Sequence, residues 1–360
     1  MTQQHINLGT QSDGKDGDTN RVAWQKTEAN FNELYGGALS IATFKNRFIN
    51  GGFDIWQRGT SFTSTSYCAD RFLIQMNGTT ASATRQAFAV GQTAVPDNPA
   101  YYMRCAVSSV AGAGSACYLG QRIESAAALA GKRVTMSFYA KADAARKIAM
   151  EATQFFGTAG PGSVNGIGVT TFNLTSGWQK FYVTFDLPAL AVATLGPNGD
   201  DFLQIALWMD AGANFSARTN ALGQQSGTFD FAQWQLELGE AATSFEKRPP
   251  AVEQLLCSRY CQVFKASVGT GISVGTQYSG GSAFVPLPLP ALMRTIPSLT
   301  NLGAPLRWVG AATSSSDPTV QSINPGLVGL IFAVSGGAPW SSGYASANGG
   351  PLSLLLEAEI

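Results

Sequence analysis

Between Phe72 and Met209 the chain repeats one kind of segment. Phe72–Met76, Tyr101–Val107, Cys117–Ile123, Val134–Ala140, Ile148–Phe155, Trp178–Phe185 and Phe202–Met209 are each five to eight residues long and rich in aromatic and branched side chains. Gly, Asn, Asp or Pro bounds each run, which is how strands separated by turns read. No 3.6-residue apolar period intervenes, so the helices that parallel strands need are missing and an antiparallel sandwich is the economical solution. Glu124–Ala130 ahead of Gly131 reads as a turn, and no 20 to 50 residue repeat points to a solenoid.

The last strand signal of this region is Thr228–Leu238. There Phe229, Phe231, Gln233, Gln235 and Glu237 alternate with Asp230, Ala232, Trp234, Leu236 and Leu238, a period of two that offers Trp234, Leu236 and Leu238 to a core. Gly239 stops the strand. At Pro249-Pro250 two fixed φ angles and two missing N–H groups predict the end of sheet and helix alike, and a domain boundary. Val252–Val263 then reads as short helical spacing, with Leu255, Leu256, Arg259 and Tyr260 near one face, turning extended at Val263-Phe264. The resulting division is 1–45 for an arm and helix, 46–250 for the sandwich and 251–360 for a further β unit.

Residues 1–18 are polar and aperiodic, as in an extended arm. Asp18 or Thr19 can cap a helix that Gly36-Gly37 can stop. Its apolar stripe spaces Val22, Ala29 and Gly36 seven apart, as it does Trp24, Phe31 and Ala38, with Leu34 and Tyr35 a turn on. About 17 residues are too few to be stable alone, so the stripe needs copies of itself, another protein or its own domain.

Charged residues make up 13% of the chain, against about 25% in ordinary soluble domains. From Ala266 to Ile360 they are only Arg294, Arg307, Asp317, Glu357 and Glu359. A side surface hidden by oligomerisation accounts for this, because a monomer so poor in charge tends to aggregate. The 23 basic and 23 acidic residues balance, which argues against nucleic acid. The apolar run Leu327–Val334 is far below the roughly 20 residues that span a bilayer, and the N-terminal sequence lacks a signal-peptide pattern. The expectation is a protein made in a cytoplasm, with no membrane insertion.

Cys68, Cys105, Cys117, Cys257 and Cys261 are odd in number and irregularly spaced, a poor disulfide framework. Cys257 and Cys261 have no second pair to complete a zinc site, and the single histidine, His5, lies in the polar arm. No metal and no cofactor is expected. A Ser/His/Asp or Cys/His site has no histidine to use. Paired carboxylates for glycan cleavage are available only as Asp200-Asp201, Asp210, Glu237 and Glu240, and the first two sit in a Pro-Asn-Gly-Asp-Asp turn. Gly157–Gly168 is glycine-rich but lacks the Lys-Ser/Thr of a phosphate loop, and reads as a loop between strands. The expectation is therefore a protein that is not an enzyme.

Binding needs less. Sugars are held by aromatic faces and planar polar groups. Trp340 and Tyr344 in Gly336–Gly350, and Tyr278 in Val274–Gly281, lie in stretches read as loops with Ser, Asn and Gln donors nearby. The competing reading packs Trp340 into a subunit interface. Trp178, Trp208 and Trp234, on strands, read as core. Trp56, Gln57 and Arg58 read as structural, with Arg58 or Arg71 tying loops to carbonyls.

Three blocks carry a family resemblance. Gln235–Pro249, QLELGEAATSFEKRP, followed by Glu253-x-x-Leu-Cys-x-Arg-Tyr260, resembles the C-terminal halves of bacteriophage tail fibre and receptor-binding proteins. Phe48–Gly59 with Ala69-Asp70-Arg71-Phe72 looks like the start of the same module, and Ile6–Thr10 to Asn30–Tyr35 is similar to the opening of many phage structural proteins. The order of the blocks is that of the family. The resemblance implies a jelly roll like the sugar-binding sandwich modules of tail fibres and a homotrimer with residues 251–360 at the distal end. It implies a place in the virion tail after assembly in the host cytoplasm. Residues 1–45, with Trp24, Phe31, Leu34 and Tyr35, would attach to other tail or neck proteins, while Trp340, Tyr344 and Tyr278 would meet a bacterial surface polysaccharide without cleaving it. Two alternatives stand beside it: a neck or collar fibre touching only virion proteins, and a polysaccharide depolymerase.

Overall fold

The computed structural model describes residues 6–7, 15–28, 44–190, 195–279, 281–303, 306–310, 319–334, 340–347 and 351–360. Residues 20–28 form helix α1, and the Thr19 hydroxyl accepts the Val22 amide hydrogen at 3.4 Å, the cap predicted for it. Trp24 on α1 is 73% exposed. Phe31, Leu34, Tyr35 and the Gly36-Gly37 stop lie outside the described residues.

The chain then lays down β1 (Ser61–Phe62), β2 (Ser66–Tyr67), β3 (Phe72–Asn77), β4 (Thr80–Ala87), β5 (Tyr101–Ser108) and β6 (Ala116–Glu124). There follow β7 (Arg133–Ala142), β8 (Arg146–Phe155), β9 (Val164–Leu174), β10 (Gln179–Asp186), β11 (Phe202–Ala211), the short helix α2 (Ser216–Thr219) and β12 (Gly227–Leu238). These twelve strands make two antiparallel sheets, ordered β1-β4-β5-β12-β7-β10 and β2-β3-β6-β11-β8-β9. At every rank the two orders hold sequence neighbours: β1 with β2, β4 with β3, β5 with β6, β12 with β11, β7 with β8, β10 with β9. A chain that passes from one sheet to the other at each such pair is a rolled-up series of hairpins, which is a jelly roll.

Trp234 sits at the middle of the sandwich, fully buried. Phe72, Phe231 and Phe53 present their edges to it at centroid distances of 5.2, 5.9 and 6.2 Å, the geometry favoured by the ring quadrupole. Uniform alternation along β12 places Phe229 and Phe231 on the opposite face from Trp234, yet all three are in the core. The reason is a β-bulge: the register against β7 shifts between Ala232 and Gln235, and Gln233 takes φ +49. One extra residue turns both aromatic sets inward and leaves Leu238 partly exposed.

Two further sequence expectations change. Pro249-Pro250 ends the sheet, but Pro250 begins helix α3 (Pro250–Ser258). The first turn of a helix has no acceptor for its N–H groups, so proline costs nothing there. Gly157–Gly168 is a loop only to Ser163, since β9 begins at Val164. The 126–131 segment is turn, as read.

After α3 come β13 (Cys261–Ala266), β14 (Gly271–Ser279), β15 (Ser282–Pro288), β16 (Ser298–Asn301), β17 (Leu306–Val309), β18 (Thr319–Asn324), β19 (Leu327–Ala333), β20 (Ser341–Ala347) and β21 (Leu352–Glu357). They form sheets ordered β13-β21-β16 and β17-β20-β14-β15-β19-β18 around a separate core that includes Trp308, Phe332, Val285 and Leu354. The fold is all-β, with antiparallel sheets and short helices.

The two cores meet through an ionic cluster. Arg58 lies 2.7 Å from Glu357, 2.9 Å from Glu359 and 3.7 Å from Asp70. The buried Arg71 pairs with Glu359, donates to the Arg122 carbonyl and lies 3.5 Å over the Tyr260 ring. Arg122 and the Tyr67 hydroxyl both donate to the Ile360 carbonyl. Arg71 thus ties down a carbonyl, as read, but the principal partners of both arginines are carboxylates about 290 residues away in sequence. Arg71→Ala should cost about 3–5 kcal/mol in chemical denaturation, because it leaves Glu359 buried beside only one cation.

Three carboxylates facing two guanidinium groups leave one surplus negative charge in a desolvated place. Asp70, with the longest contact, carries it, and burial pushes its carboxyl up to about 6 from 3.8 against the pull of Arg58 and Gln57. Between those values the native chain holds a proton that the unfolded chain releases. The contribution of Asp70 to stability is therefore greatest at low pH and falls as pH rises from about 4 to 6. Relative to Asp70→Asn, the natural protein should lose up to about 3 kcal/mol between pH 4 and 7, measured by urea unfolding. An equal slope for the two proteins contradicts this.

Candidate functional site

The three aromatic residues singled out in the sequence come together on one ribbon. Contrary to the loop reading, Tyr278 lies on β14 and Tyr344 on β20, and these strands pair with Val274 opposite Tyr344, Thr276 opposite Ser342 and Gln277 opposite Ser341. Trp340 lies in the turn immediately before β20, and Tyr278 follows Gln277 on β14. Polar β-residues such as Ser341 and Ser342 carry no strand signal, so the 341–347 strand is set by the ladder rather than by its own propensity.

Because side chains alternate, Gln277, Ala345 and Ala347 point inward and are buried, while Val274, Tyr278 and Tyr344 point outward; Trp340, in the turn ahead of β20, is exposed beside them. Trp340 is 78% exposed, Tyr278 42% and Tyr344 39%. Trp340 has φ +68, a left-handed conformation that costs a bulky residue about 1–2 kcal/mol, and its amide is held 2.5 Å from the Gln277 carbonyl.

Glycines shape the ribbon from both sides. A Cβ on Gly271 would sit 3.0 Å from the Tyr344 ring, so the ring lies over the bare backbone. Beside it a shallow recess of about 400 Å³ is lined by Gly269, Gly271, Ile272, Ser273, Val274 and Tyr344. On the inner side a Cβ on Gly343 would fall 2.3 Å from the buried Trp308 ring.

A second aromatic group was invisible in the sequence. Trp178 is not in the core: it precedes β10 and lies half-buried on the outer face of the first sheet, 5.3 Å from both Phe88 and Tyr102, which are themselves 4.8 Å apart. Lys141 lies 5.3 Å over the Trp178 ring, and Arg104 forks onto the buried Asp230 at 2.8 and 2.9 Å. Alternation along β5 exposes Tyr102 and Arg104 together; the bonding of Asp230 across β12 is a tertiary fact no local pattern carries. Trp208 and Trp234 are buried, as read, Trp208 in a small cluster beneath Phe215.

The carboxylates considered for catalysis are engaged in the fold. Asp201 accepts the Ala126 amide, Asp200 takes Thr158, Asp210 takes Thr79, Ser109 and the Gln225 amide, Glu237 takes Thr243, and Glu240 pairs with Arg133. The five cysteines are free and buried, and burial pushes the Cys68 and Cys117 thiols up to about 12. Among the described residues no group of three His, Cys, Asp or Glu side chains could hold a metal, and no helix is long and apolar enough to cross a membrane.

Gly343→Val should destabilise the ribbon by about 1–3 kcal/mol through overlap with Trp308, seen as earlier thermal unfolding with a change in tryptophan fluorescence.

No family model matches the chain, and no curated protein matches it. Among solved structures, a carbohydrate-binding module of the CBM4 type is similar over 53% of this chain and 98% of its own, at 21% identity and TM-score 0.30. The family 11 carbohydrate-binding module of a Clostridium thermocellum cellulase covers 55% and 97%, at 12% identity and TM-score 0.32. The enzymatically active domain of tailspike protein 4 from bacteriophage CBA120 covers 55% of this chain and 22% of its own, at 12% identity and TM-score 0.33. Superpositions this loose leave the jelly-roll assignment resting on the strand order itself.

Proposed function

We propose that the chain is a receptor-binding tail fibre protein that adsorbs a phage or phage-like particle to a bacterial surface glycan without cleaving it. The observation that carries this reading is the outward face of the β14–β20 ribbon, where Trp340, Tyr344 and Tyr278 are exposed beside Ser342 and Thr276. Aromatic faces take the C–H surfaces of a sugar and hydroxyls take its OH groups, and no ionised catalyst is needed. The sequence blocks supply the biological setting. Residues 1–45 would attach to tail or neck proteins, 46–250 form the body and 251–360 the tip. A homotrimer fits the exposed Val268, Leu292, Ile296 and Leu302 in a region so poor in charge. Three weak sites on one fibre then multiply a low single-site affinity through effective concentration.

A second location for the same binding is the Phe88–Tyr102–Trp178 platform, favoured by Arg104 and Lys141 beside the rings. A bacterial polysaccharide array probed with the full chain separates the two. Trp340→Ala and Tyr344→Ala should each lower binding at least about tenfold, the loss of one stacked ring under avidity, with Trp178→Ala near the natural level. Loss on Trp178→Ala alone moves the site to the platform, and binding unchanged by all three substitutions contradicts the reading. Release of reducing ends from a bound polysaccharide would instead favour the depolymerase alternative.

A further inference from the structure

Of the charged residues between Ala266 and Ile360, Glu357 and Glu359 lie in the ionic cluster, Arg294 donates to the Gly199, Ala358 and Glu359 carbonyls, and Asp317 falls outside the described residues. Arg307 remains. It stands on β17, and no other strand of its sheet carries a charged side chain. An incoming anion therefore meets no carboxylate from the strands of this sheet.

The ladder puts Arg307 beside the rings of the ribbon. Leu306 and Trp308 are buried, while Arg307 lies opposite Ser346 and Val309 opposite Tyr344. Opposite residues share a face, so Arg307, Val309, Tyr344, Ser346 and Val274 all lie on the outward one. Arg307 is thus the diagonal neighbour of Tyr344, about 7–8 Å away and within reach of a long side chain. On β14, Gly271 stands opposite Ser346, and the Tyr344 ring lies over its bare backbone. The buried Ser346 hydroxyl accepts from Arg307 Nε at 3.4 Å. The two terminal nitrogens of Arg307 make no hydrogen bond or ion pair among the described residues, and they are open to solvent. A guanidinium held by its Nε offers its Nη1–Nη2 edge as a planar fork, which matches a carboxylate or a phosphate.

We infer that the ribbon selects an acidic polysaccharide, with one sugar ring against Tyr344 and an oxyanion of that unit or the next on the Nη1–Nη2 edge of Arg307. Arg307 is then the residue that sets specificity. The inference rests on the ribbon being the glycan site and adds the charge of the ligand to that reading.

Binding of the full chain to bacterial polysaccharides grouped as uronate-bearing, phosphodiester-bearing and neutral tests it. The polymers bound should be acidic, and the group they fall in identifies the oxyanion. Arg307→Gln should lower that binding about tenfold and flatten its salt dependence. Arg307 faces outward on an edge strand, so the variant should unfold at the natural temperature. Where the bound polymer is a uronate, reducing its carboxyl groups to alcohols should cost the natural protein the same factor and Arg307→Gln nothing further. Neutral polymers bound as tightly as acidic ones overturn the inference, as does acidic binding that Arg307→Gln keeps. If Trp340→Ala and Tyr344→Ala abolish such binding, the ribbon reading stands without this inference. A loss on Arg307→Gln that is equal for the uronate and its reduced form also overturns it, because Arg307 would then act only on the strand. Binding to no polymer overturns both.

Discussion

The buried cluster of Arg58, Arg71, Asp70, Glu357 and Glu359 is the interaction on which the arrangement of the two cores depends. Each charge is expensive to desolvate alone, so the cluster forms only when the start of the sandwich and the last strand of the chain are both in place. Neighbouring bonds reinforce it: Gln57 donates to the Cys261 carbonyl, Arg259 and Tyr260 hold Glu124, and Arg294 reaches the Ala358 and Glu359 carbonyls. Apolar packing alone would let the two cores slide, whereas forked guanidinium contacts fix a geometry.

Much of the fold was legible because it is written locally. Aromatic and branched runs between turn residues gave the sandwich strands, and the absence of helical period excluded a parallel sheet. What local pattern missed has particular causes. The bulge at Gln233 reverses the alternation of β12, and nothing short of the pairing with β7 reveals it. Pro249-Pro250 carries the local signal of a chain terminator, and only the helix that follows shows Pro250 in the first turn of α3. Arg58 and Arg71 were read as structural, but their carboxylate partners lie at the other end of the sequence, beyond the reach of any spacing argument. The β20 strand of serine, glycine and alanine has no propensity of its own.

The candidate site was legible in part. Ring type and polar neighbours mark Trp340, Tyr344 and Tyr278 in the sequence; the ladder of β14 and β20 puts Tyr278 and Tyr344 on one face, with Trp340 in the turn beside them. The Phe88–Tyr102–Trp178 platform went unseen because Trp178 begins what reads as an interior strand, while its ring turns outward over the sheet.

In the proposed fibre, weak stacking would adsorb a particle only when repeated, so the proposal depends on assembly. The native mass of the purified chain by light scattering is the most direct measurement. A mass near three times 37.8 kDa is the predicted result. A soluble monomer at 37.8 kDa would contradict the fibre account, since exposed apolar side chains in so uncharged a region would then have no partner surface to meet.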